Sequence, residues 1–301
     1  MTISQQRKPV LTTDSTFKRI GLFIRKDDIV MENAVVRVNA FLSQAGLKVV
    51  CNEKLSFLPD LTVIAATEFP SQCDLTIAIG GDGTLLSASR ALAGTDMPIV
   101  GVNVGRLGFL ADVTLNNLEQ QLQQVISGRY RDDRRFMLQA DIQGHDEAPG
   151  IAMNDVVIHA HQNLHMIEFE TYINGKFLNS QRADGLVIAT PTGSTAYAMS
   201  AGGPILDVDL DAIVLASVCP HTLSNRPLVV AADNRIEITL SENNITTGMV
   251  TCDGRPGQIL RPGDTVRIER HQSQIRLLHL EDHDHYSILR AKLEWGRKLT
   301  C

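Results

Sequence analysis

The sequence lacks the cysteine pattern of a disulfide-bonded or zinc-stabilised protein. Its five cysteines are scattered through 301 residues and form no C-x-x-C pair, which is typical of reduced thiols in the cytosol. Residues 1–17 contain no apolar segment of a signal peptide. No hydrophobic run approaches the roughly 20 residues that a membrane-spanning helix needs. We therefore expect a cytoplasmic protein.

Positive charge is also in short supply. The formal net charge is −6, and no basic or amphipathic stretch suggests binding to nucleic acid or to a membrane surface. A phosphate-rich ligand would therefore need local arginines or a metal ion. The chain is otherwise ordinary, with 44% hydrophobic and 21% charged residues, which is enough apolar material for a full core.

The pattern of predicted elements changes about halfway along the chain. Residues 1–135 alternate strand-like and helical runs, which predicts an α/β domain with a parallel sheet. Residues 136–301 consist mostly of strand-like runs, and Asn174-Gly175 marks a hairpin, so a β-rich domain is predicted there. The tail from His285 to Trp295 returns to helical spacing, and we expect it to pack back on the first domain.

The most informative stretch is Leu75–Leu86, which reads LTIAIGGDGTLL. An apolar strand-like run ends in three glycines around Asp82, and a helix-compatible run follows. Glycines let backbone N–H groups approach a ligand, and a helix N-terminus favours negative charge, so the pattern predicts a phosphate cradle. The sequence contains no P-loop, and Leu86 stands where a dinucleotide fingerprint has its third glycine.

Asp82 needs an explanation, because its charge would repel phosphate in such a cradle. Two chemical roles fit: it holds a metal ion, or it accepts the proton of the group that attacks phosphorus. The structural alternative is a tight turn that requires positive φ and happens to contain an aspartate.

A second stretch, residues 184–204, combines a strand with a hydroxyl-rich turn and Gly-Gly-Pro. Five short hydroxyl side chains lie in it: Thr190, Thr192, Ser194, Thr195 and Ser200. Tyr197 adds a flat ring on which a base can stack, with its hydroxyl as a polar end. The turn therefore suits a sugar or nucleotide. The alternative is a solvated Ser/Thr turn with Tyr197 in the core.

Taken together, the two stretches resemble the NAD kinase family. GGDGT at 80–84, NVGRLGFL at 103–110, Asn154-Asp155 and the DG…TPTGSTAY…SAGGP stretch at 184–204 occur in that family's motif order. The resemblance runs from about residue 18 to the C-terminus. GGDGT alone would also fit lipid kinases of the diacylglycerol and sphingosine type and, loosely, phosphofructokinases. Those kinases do not carry TPTGSTAY.

The resemblance implies an enzyme that transfers the terminal phosphate of ATP, or sometimes of polyphosphate, to the 2′-hydroxyl of the adenosine ribose of NAD. It implies Asp82 as general base, since a carboxylate can orient a ribose hydroxyl and accept its proton. It also implies Mg²⁺ or another divalent cation and a homodimer or homotetramer. NAD and ATP are then the partners, with neither nucleic acid nor membrane.

Two other functions compete with this interpretation. A lipid kinase is disfavoured by the second stretch and by the missing membrane-binding segment. A regulatory protein that senses NAD(H) or NADP(H) without catalysis is disfavoured by Asp82, because a sensor needs no base in the loop.

The resemblance assigns substrate contacts as well. Gly83 lies beside Asp82, and Asn154 and Asp155 are assigned to the ribose and nicotinamide side. The family commonly has glutamate at the second position, so Asp155 reaches one methylene less far. The adenine, ribose and phosphate groups of NAD are assigned to Thr192, Thr195, Ala196, Tyr197, Ala198, Met199 and Ser200.

The remaining assignments are more scattered. Three residues are expected to line the same site: His165, Arg182 and Asp184. Phe109 matches an aromatic near the adenine, with core packing as an equal alternative. Asp253 resembles an acidic contact borrowed across a subunit interface, and Arg255 stands where some relatives have glutamine and could pair with phosphate. The acidic, histidine-rich segment at 281–285 is interpreted as a solvated loop, and no metal ligand is assigned.

Overall fold

The computed structural model describes residues 16–25, 29–105, 108–161 and 165–295. The chain divides into two compact units, one of Met1–Arg134 with Ile275–Cys301 and one of Arg135–Gln274. The prediction of an α/β domain followed by a β-rich domain, with a C-terminal helix that returns to the first, is confirmed. No helix in the described part of the chain is long and apolar enough to cross a membrane.

Strands and helices alternate in the first part of the chain. The elements are β1 (Arg19–Ile24), α1 (Ile29–Gln44), β2 (Lys48–Cys51), β3 (Thr62–Val63), α2 (Phe69–Gln72), β4 (Leu75–Gly80), α3 (Asp82–Ala91), β5 (Pro98–Asn103), β6 (Val113–Thr114) and α4 (Leu118–Ile126).

Strands dominate the rest. The elements are β7 (Arg131–Ile142), β8 (Gly150–Ala152), β9 (Asp155–Ala160), β10 (Ile167–Ile173), β11 (Lys176–Ala183), β12 (Gly185–Ala189), α5 (Tyr197–Ser200), β13 (Ala212–Val218), β14 (Leu228–Ala231), β15 (Ile236–Leu240), β16 (Gly248–Cys252), β17 (Arg255–Leu260), β18 (Thr265–His279) and α6 (His285–Lys292).

The first unit is built on a parallel sheet in the order β5-β4-β1-β2-β3. All six residues of the central strand β4 are buried, as expected for a strand covered on both faces. The last residues of β18 continue the sheet, with Leu277 paired in parallel to Ile99 of β5. Because the strands are parallel, the carboxyl ends of β1, β4 and β5 lie at one edge of the sheet.

Helical periodicity accounts for the packing of this sheet. The apolar side chains of α1 and α4 recur at helical spacing and are buried against β1 and β4: Ala34, Val35, Val38, Leu42, Leu118, Leu122 and Val125. A threonine just before an apolar helical run is a common N-cap, but the Thr114 side chain makes no cap bond within the described residues. Instead, Gln121 accepts a hydrogen bond from the Thr114 backbone at 2.8 Å, and a short 3-10 turn precedes the helix.

The second unit contains a six-stranded antiparallel sheet, β14-β13-β12-β9-β16-β17, and a second set of strands that includes β10, β11 and β15. The hairpin between β10 and β11 forms at Asn174-Gly175, where both residues have positive φ. Alternate residues of the two sets build one core, including Ile158, Phe169 and Ile188.

The opposite face of the six-stranded sheet is also covered. Val157, Val187 and Val214 pack there against Ala198 and Leu206. The hydroxyl-rich turn after β12 is therefore held on the sheet by apolar contacts on its far side.

Candidate functional site

The glycine-rich loop lies between β4 and α3. Gly80 has φ +154°, and a Cβ on it would overlap the Thr84 side chain, so the backbone itself requires glycine there. Gly81 and Gly83 are exposed. Among the residues that the structure describes, a Cβ on Gly81 would meet nothing within 4 Å, and one on Gly83 would meet only Arg25 Nη1 at 3.5 Å. Packing against the described residues does not require these two glycines, and without side chains they leave the backbone at the helix N-terminus accessible to a ligand.

The Asp82 side chain is held in place by the loop that follows β5. Its Oδ2 accepts a hydrogen bond from the Phe109 N–H at 2.8 Å, and its Oδ1 accepts one from the Leu110 N–H at 3.2 Å. Gly108 packs so closely that a Cβ would overlap the carboxylate. Each carboxylate oxygen keeps a second lone pair. Asp82 is therefore an oriented, half-buried acceptor with capacity for a proton or a cation.

Arg25 is a basic residue at this loop that the sequence patterns did not reveal. It follows β1, is exposed, and reaches Gly83 because β1 and β4 are parallel neighbours. The sequence does not show that β1 and β4 are neighbours. Their parallel pairing brings Arg25 next to Gly83, although 58 residues separate them in the sequence. A guanidinium here supplies the local positive charge that an acidic protein needs to bind phosphate.

Phe109 combines a backbone and a side-chain contact. Its N–H binds Asp82, and its half-buried ring lies under Lys292 Nζ of α6 at 4.9 Å, a cation–π arrangement. The contact ties the returning C-terminal helix to the loop that holds Asp82. The assignment of Phe109 to an adenine contact stays a prediction.

In the second unit, three of the five hydroxyls in the turn after β12 donate to backbone carbonyls, among them Thr195, which donates to the Thr192 carbonyl at 3.2 Å. The buried Thr190 donates to the Met153 carbonyl at 2.6 Å, and the buried Ser194 donates to the Pro191 carbonyl at 2.6 Å. A Cβ on Gly193 would overlap the Asn154 carbonyl. These contacts dock the turn on the start of β9, and the exposed Ser200 presents its hydroxyl to solvent, where a ligand can reach it.

Thr192 is positioned by a buried arginine. Arg135 is 4% exposed and donates from Nη1 to Thr192 Oγ1 at 3.1 Å. Nothing in the sequence pattern singled out Arg135, because it reads as one of several charged residues at the start of a strand. Tyr197, by contrast, is 46% exposed, which excludes the alternative that places its ring in the core. Ala198 is the buried residue of this run, and Ser200 is exposed.

Asp253 acts within its own chain. It lies with Gly254 in the tight turn between β16 and β17, and both have positive φ. Its carboxylate accepts the backbone N–H groups of Met153, Asn154 and Asp155 at 3.1, 2.8 and 3.3 Å. The Asp-Gly pair is itself a hairpin signal that could have placed this turn. The expected contact of Asp253 across a subunit interface stays a prediction, as does a role for the exposed Arg255.

Asp155 and Asn154 are the most unusual polar groups of this region. Asp155 is 5% exposed, and burial together with the negative charge of Asp253 raises its pKa to about 7, against a smaller opposing hydrogen bond from the Tyr197 backbone. Asn154 Oδ1 is buried and has no hydrogen-bond partner within the described residues. Such an acceptor is disfavoured by about 1–3 kcal/mol, so a native protein usually provides it with a donor.

His165 and Arg182 share a separate cavity of about 210 Å³, which Glu168 and residues 243–246 complete. Asp184, just after β11, is exposed and accepts a hydrogen bond from the Cys219 thiol, which raises the pKa of that thiol. Thus the second unit brings together Asn154, Asp155, Thr192, Tyr197 and Asp253 in one cluster, and His165 with Arg182 in another. The first unit holds Asp82, Gly83 and Phe109.

Comparison with known proteins gives a consistent result. The family model described as the ATP-NAD kinase N-terminal domain matches residues 20–130, and that of the ATP-NAD kinase C-terminal domain matches residues 153–280. The NAD kinase of Nitrosococcus oceani is 51% identical over 288 residues, which is 94% of this chain and 98% of that protein. The NAD kinase of Teredinibacter turnerae is 45% identical over 286 residues, 93% and 98% of the two chains.

Solved structures agree on the fold. The crystal structure of yeast NADH kinase complexed with NADH matches with a TM-score of 0.84 and 25% identity, over 94% of this chain and 90% of that one. An NAD kinase from Archaeoglobus fulgidus in complex with ATP matches with a TM-score of 0.73 and 23% identity, over 92% and 98% of the two chains. At that lower identity the match shows the fold alone.

Proposed function

Since the chain belongs to the ATP-NAD kinase family and is an NAD kinase enzyme, we propose that it transfers the terminal phosphate of ATP to the 2′-hydroxyl of the adenosine ribose of NAD, with Asp82 as general base. The products are NADP and ADP. The observation that carries the proposal is the Asp82 carboxylate, which two backbone N–H groups orient between exposed glycines at the start of α3.

Asp82 suits the role of base for a clear chemical reason. A ribose hydroxyl is a poor nucleophile, and a carboxylate within hydrogen-bond reach both orients it and accepts its proton as the phosphorus–oxygen bond forms. Phosphoryl transfer depends mainly on positioning and electrostatic stabilisation. The hydrogen bonds from Phe109 and Leu110 provide the positioning, because they fix the carboxylate before substrate arrives.

The donor phosphates are assigned to the open loop. The N-terminus of α3 favours negative charge, and Arg25 adds a guanidinium beside Gly83. Asp82 also offers free oxygen lone pairs of the kind that Mg²⁺ binds together with substrate phosphates. Mg²⁺ or another divalent cation on the triphosphate would neutralise the charge that otherwise repels Asp82. In addition to the charge of this cation, the Arg25 guanidinium supplies positive charge from the protein.

The acceptor is assigned to the cluster in the second unit. Asn154 Oδ1, a buried acceptor without a donor among the described residues, suits a ribose hydroxyl. The exposed ring of Tyr197 suits a base or nicotinamide stack. Asp155, with a pKa of about 7, is partly protonated at neutral pH, so it can donate as well as accept and repels the pyrophosphate of NAD less than a full carboxylate would.

Three further expectations complete the proposal. We expect a cytoplasmic enzyme, a homodimer or homotetramer, and the use of NAD and ATP as partners. The yeast neighbour was crystallised with NADH, which supports a dinucleotide acceptor here, and the ATP-NAD kinase family models support ATP as donor. NADH as acceptor and polyphosphate as donor are separate arms of the assay below.

The direct test is product formation. The protein is incubated with Mg²⁺, NAD or NADH, and ATP or polyphosphate, and NADP(H) is assayed with an NADP-specific dehydrogenase. Asp82→Asn should lower kcat by about 10²–10⁴-fold, the range for general-base removal, while NAD binding by calorimetry is retained. Asp60→Asn, an exposed aspartate of the same unit, is the matched control. Turnover of Asp82→Asn close to wild type would exclude Asp82 as the base; absence of product with NAD still bound would exclude the kinase function.

A further inference from the structure

Three side chains of the first unit, Asp112, His279 and His283, form a buried group that we call the Asp112 cluster. Asp112 immediately precedes β6, His279 ends β18, and His283 lies in the turn before α6. The three side chains are 9%, 2% and 4% exposed. His283 comes from the acidic, histidine-rich segment that was expected to be a solvated loop, yet its ring is among the most buried of the region.

Both histidines direct the same ring nitrogen at one carboxylate. His279 Nδ1 lies 2.6 Å from Asp112 Oδ2, and His283 Nδ1 lies 2.9 Å from Oδ1 and 2.8 Å from Oδ2. The two imidazole rings stack with centroids 4.0 Å apart. One ligand atom from each residue can therefore be chosen so that all three lie within 4.8 Å of one another, close enough to surround a single ion.

The contact of the second ring nitrogen of His279 limits the states that this imidazole can adopt. His279 Nε2 faces Asp133 Oδ2 at 3.2 Å, in an alignment that falls short of a hydrogen bond. A neutral imidazole carries one N–H, so with a carboxylate at each end, one carboxylate must face a lone pair. Either His279 is an imidazolium stacked on His283, or Nδ1 coordinates a cation and Nε2–H faces Asp133. The latter is the usual arrangement of a metal-bound histidine with an outer carboxylate.

We propose that Asp112, His279 and His283 bind one divalent transition-metal ion, with Asp133 orienting His279 from the outer side. Two imidazole nitrogens and one carboxylate match the N/O ligand set of zinc. Mg²⁺ and Ca²⁺ would instead call for oxygen ligands. Tetrahedral zinc with bonds of about 2.0–2.1 Å keeps its ligand atoms about 3.3–3.4 Å apart. The present spacings of 2.6 and 2.9 Å between the imidazole nitrogens and the Asp112 carboxylate would therefore widen by about 0.4–0.8 Å when the ion binds.

The position of the cluster indicates what the ion does. Asp112 lies two residues after Leu110, whose N–H, together with that of Phe109, holds Asp82. A metal at Asp112 joins this loop to the end of β18 and to the turn before α6, across 167 and 171 residues of sequence. The ion is thus a structural link that positions the Asp82 loop, distinct from any cation that enters with the nucleotide.

Metal content in the absence of nucleotide tests the proposal independently of kinase activity. The full chain is produced without an affinity tag, stripped with a chelator, exchanged into zinc and analysed by elemental mass spectrometry. We expect about one tightly bound zinc per chain, and Co²⁺ in its place should give visible absorption bands of a site with mixed nitrogen and oxygen ligands. Zinc should also raise the melting temperature by about 5 °C.

Variants identify the ligands. Asp112→Asn and His283→Gln should each lose the bound zinc, the Co²⁺ absorption and the zinc-dependent rise in melting temperature, whereas His285→Gln, two residues beyond His283, should keep all three. The proposal is overturned if wild-type protein binds no more zinc or Co²⁺ than the two ligand variants do. The cluster is then explained by the alternative, an imidazolium His279 stacked on His283. If wild-type protein binds zinc as expected but forms no NADP, the result counts against the proposed function and leaves the metal site standing.

Discussion

The Asp253 carboxylate accepts the Asn154 backbone N–H at 2.8 Å and holds the neighbouring amides of Met153 and Asp155 as well. A single side chain in a turn with positive φ thus sets the backbone of the segment that carries the two predicted ribose-side residues. Asp253 acts through Asn154 and Asp155 and is in this sense a positioning residue.

Replacement of Asp253 should therefore lower the free energy of unfolding. Asp253→Ala removes the acceptor of three N–H groups and places a Cβ-bearing residue without a polar side chain at positive φ, so we expect a loss of about 2–3 kcal/mol of unfolding free energy. Asp253→Asn keeps an acceptor oxygen and tolerates the turn, and should lose less than half as much. Urea unfolding of both variants measures this; equal losses would contradict the positioning role.

Asp155 should make stability depend on pH. Its folded pKa is raised from 3.8 to about 7, so between these values the folded state binds more protons than the unfolded state. The stabilisation from Asp155 is then fully present below pH 4 and is lost as the pH rises to about 7, with a slope of at most about 1.4 kcal/mol per pH unit. Asp155→Asn should remove this slope between pH 4.5 and 7.5, measured as the difference from wild type in chemical denaturation.

The same titration should respond to Asp253, because the charge of Asp253 is one cause of the raised pKa. In Asp253→Asn the loss of stability attributed to Asp155 should move to lower pH. A transition that stays at the same pH would indicate that burial alone sets the pKa of Asp155.

The glycines of the loop should separate into two classes. Gly80→Ala forces a Cβ into Thr84 at φ +154°, and should destabilise the fold by about 1–3 kcal/mol. Gly83→Ala fits next to Arg25 within the first turn of α3, so its melting temperature should match wild type within about 2 °C. If the loop binds phosphate, Gly83→Ala should nevertheless raise the KM for ATP, because the methyl group occupies space that the ligand needs.

Arg25 should contribute to the binding of the donor. Arg25→Ala removes the guanidinium beside Gly83, and we expect the KM for ATP to rise by about tenfold, the equivalent of one charge-assisted hydrogen bond. Arg25→Lys should recover part of this loss because it keeps the charge. Arg129→Ala, an exposed arginine of the same unit, serves as control. An effect of Arg25→Ala on the KM for NAD but not for ATP would assign Arg25 to the acceptor instead.

Local features of this fold could be predicted from the sequence because their causes are local. The buried strand β4, the glycine turn after it and the hairpin at Asn174-Gly175 follow from hydrophobic periodicity and from residues that adopt positive φ. The start of α4 could not be predicted in this way, since the Thr114 backbone N–H donates to the Gln121 side chain and a short 3-10 turn precedes the helix. Short strands such as β3 and β6 carry too few residues for any periodicity to show.

By itself the sequence determined the two-domain order, the place of the glycine loop and the family, because these depend on residue types at short spacings. Only the tertiary structure decided what fixes the functional groups. Asp82 is held by backbone amides about 27 residues away, Asn154 by a carboxylate 99 residues on, and Asp112 by two histidines beyond residue 278. Such contacts arise from how strands are ordered and packed, and no local pattern records that order.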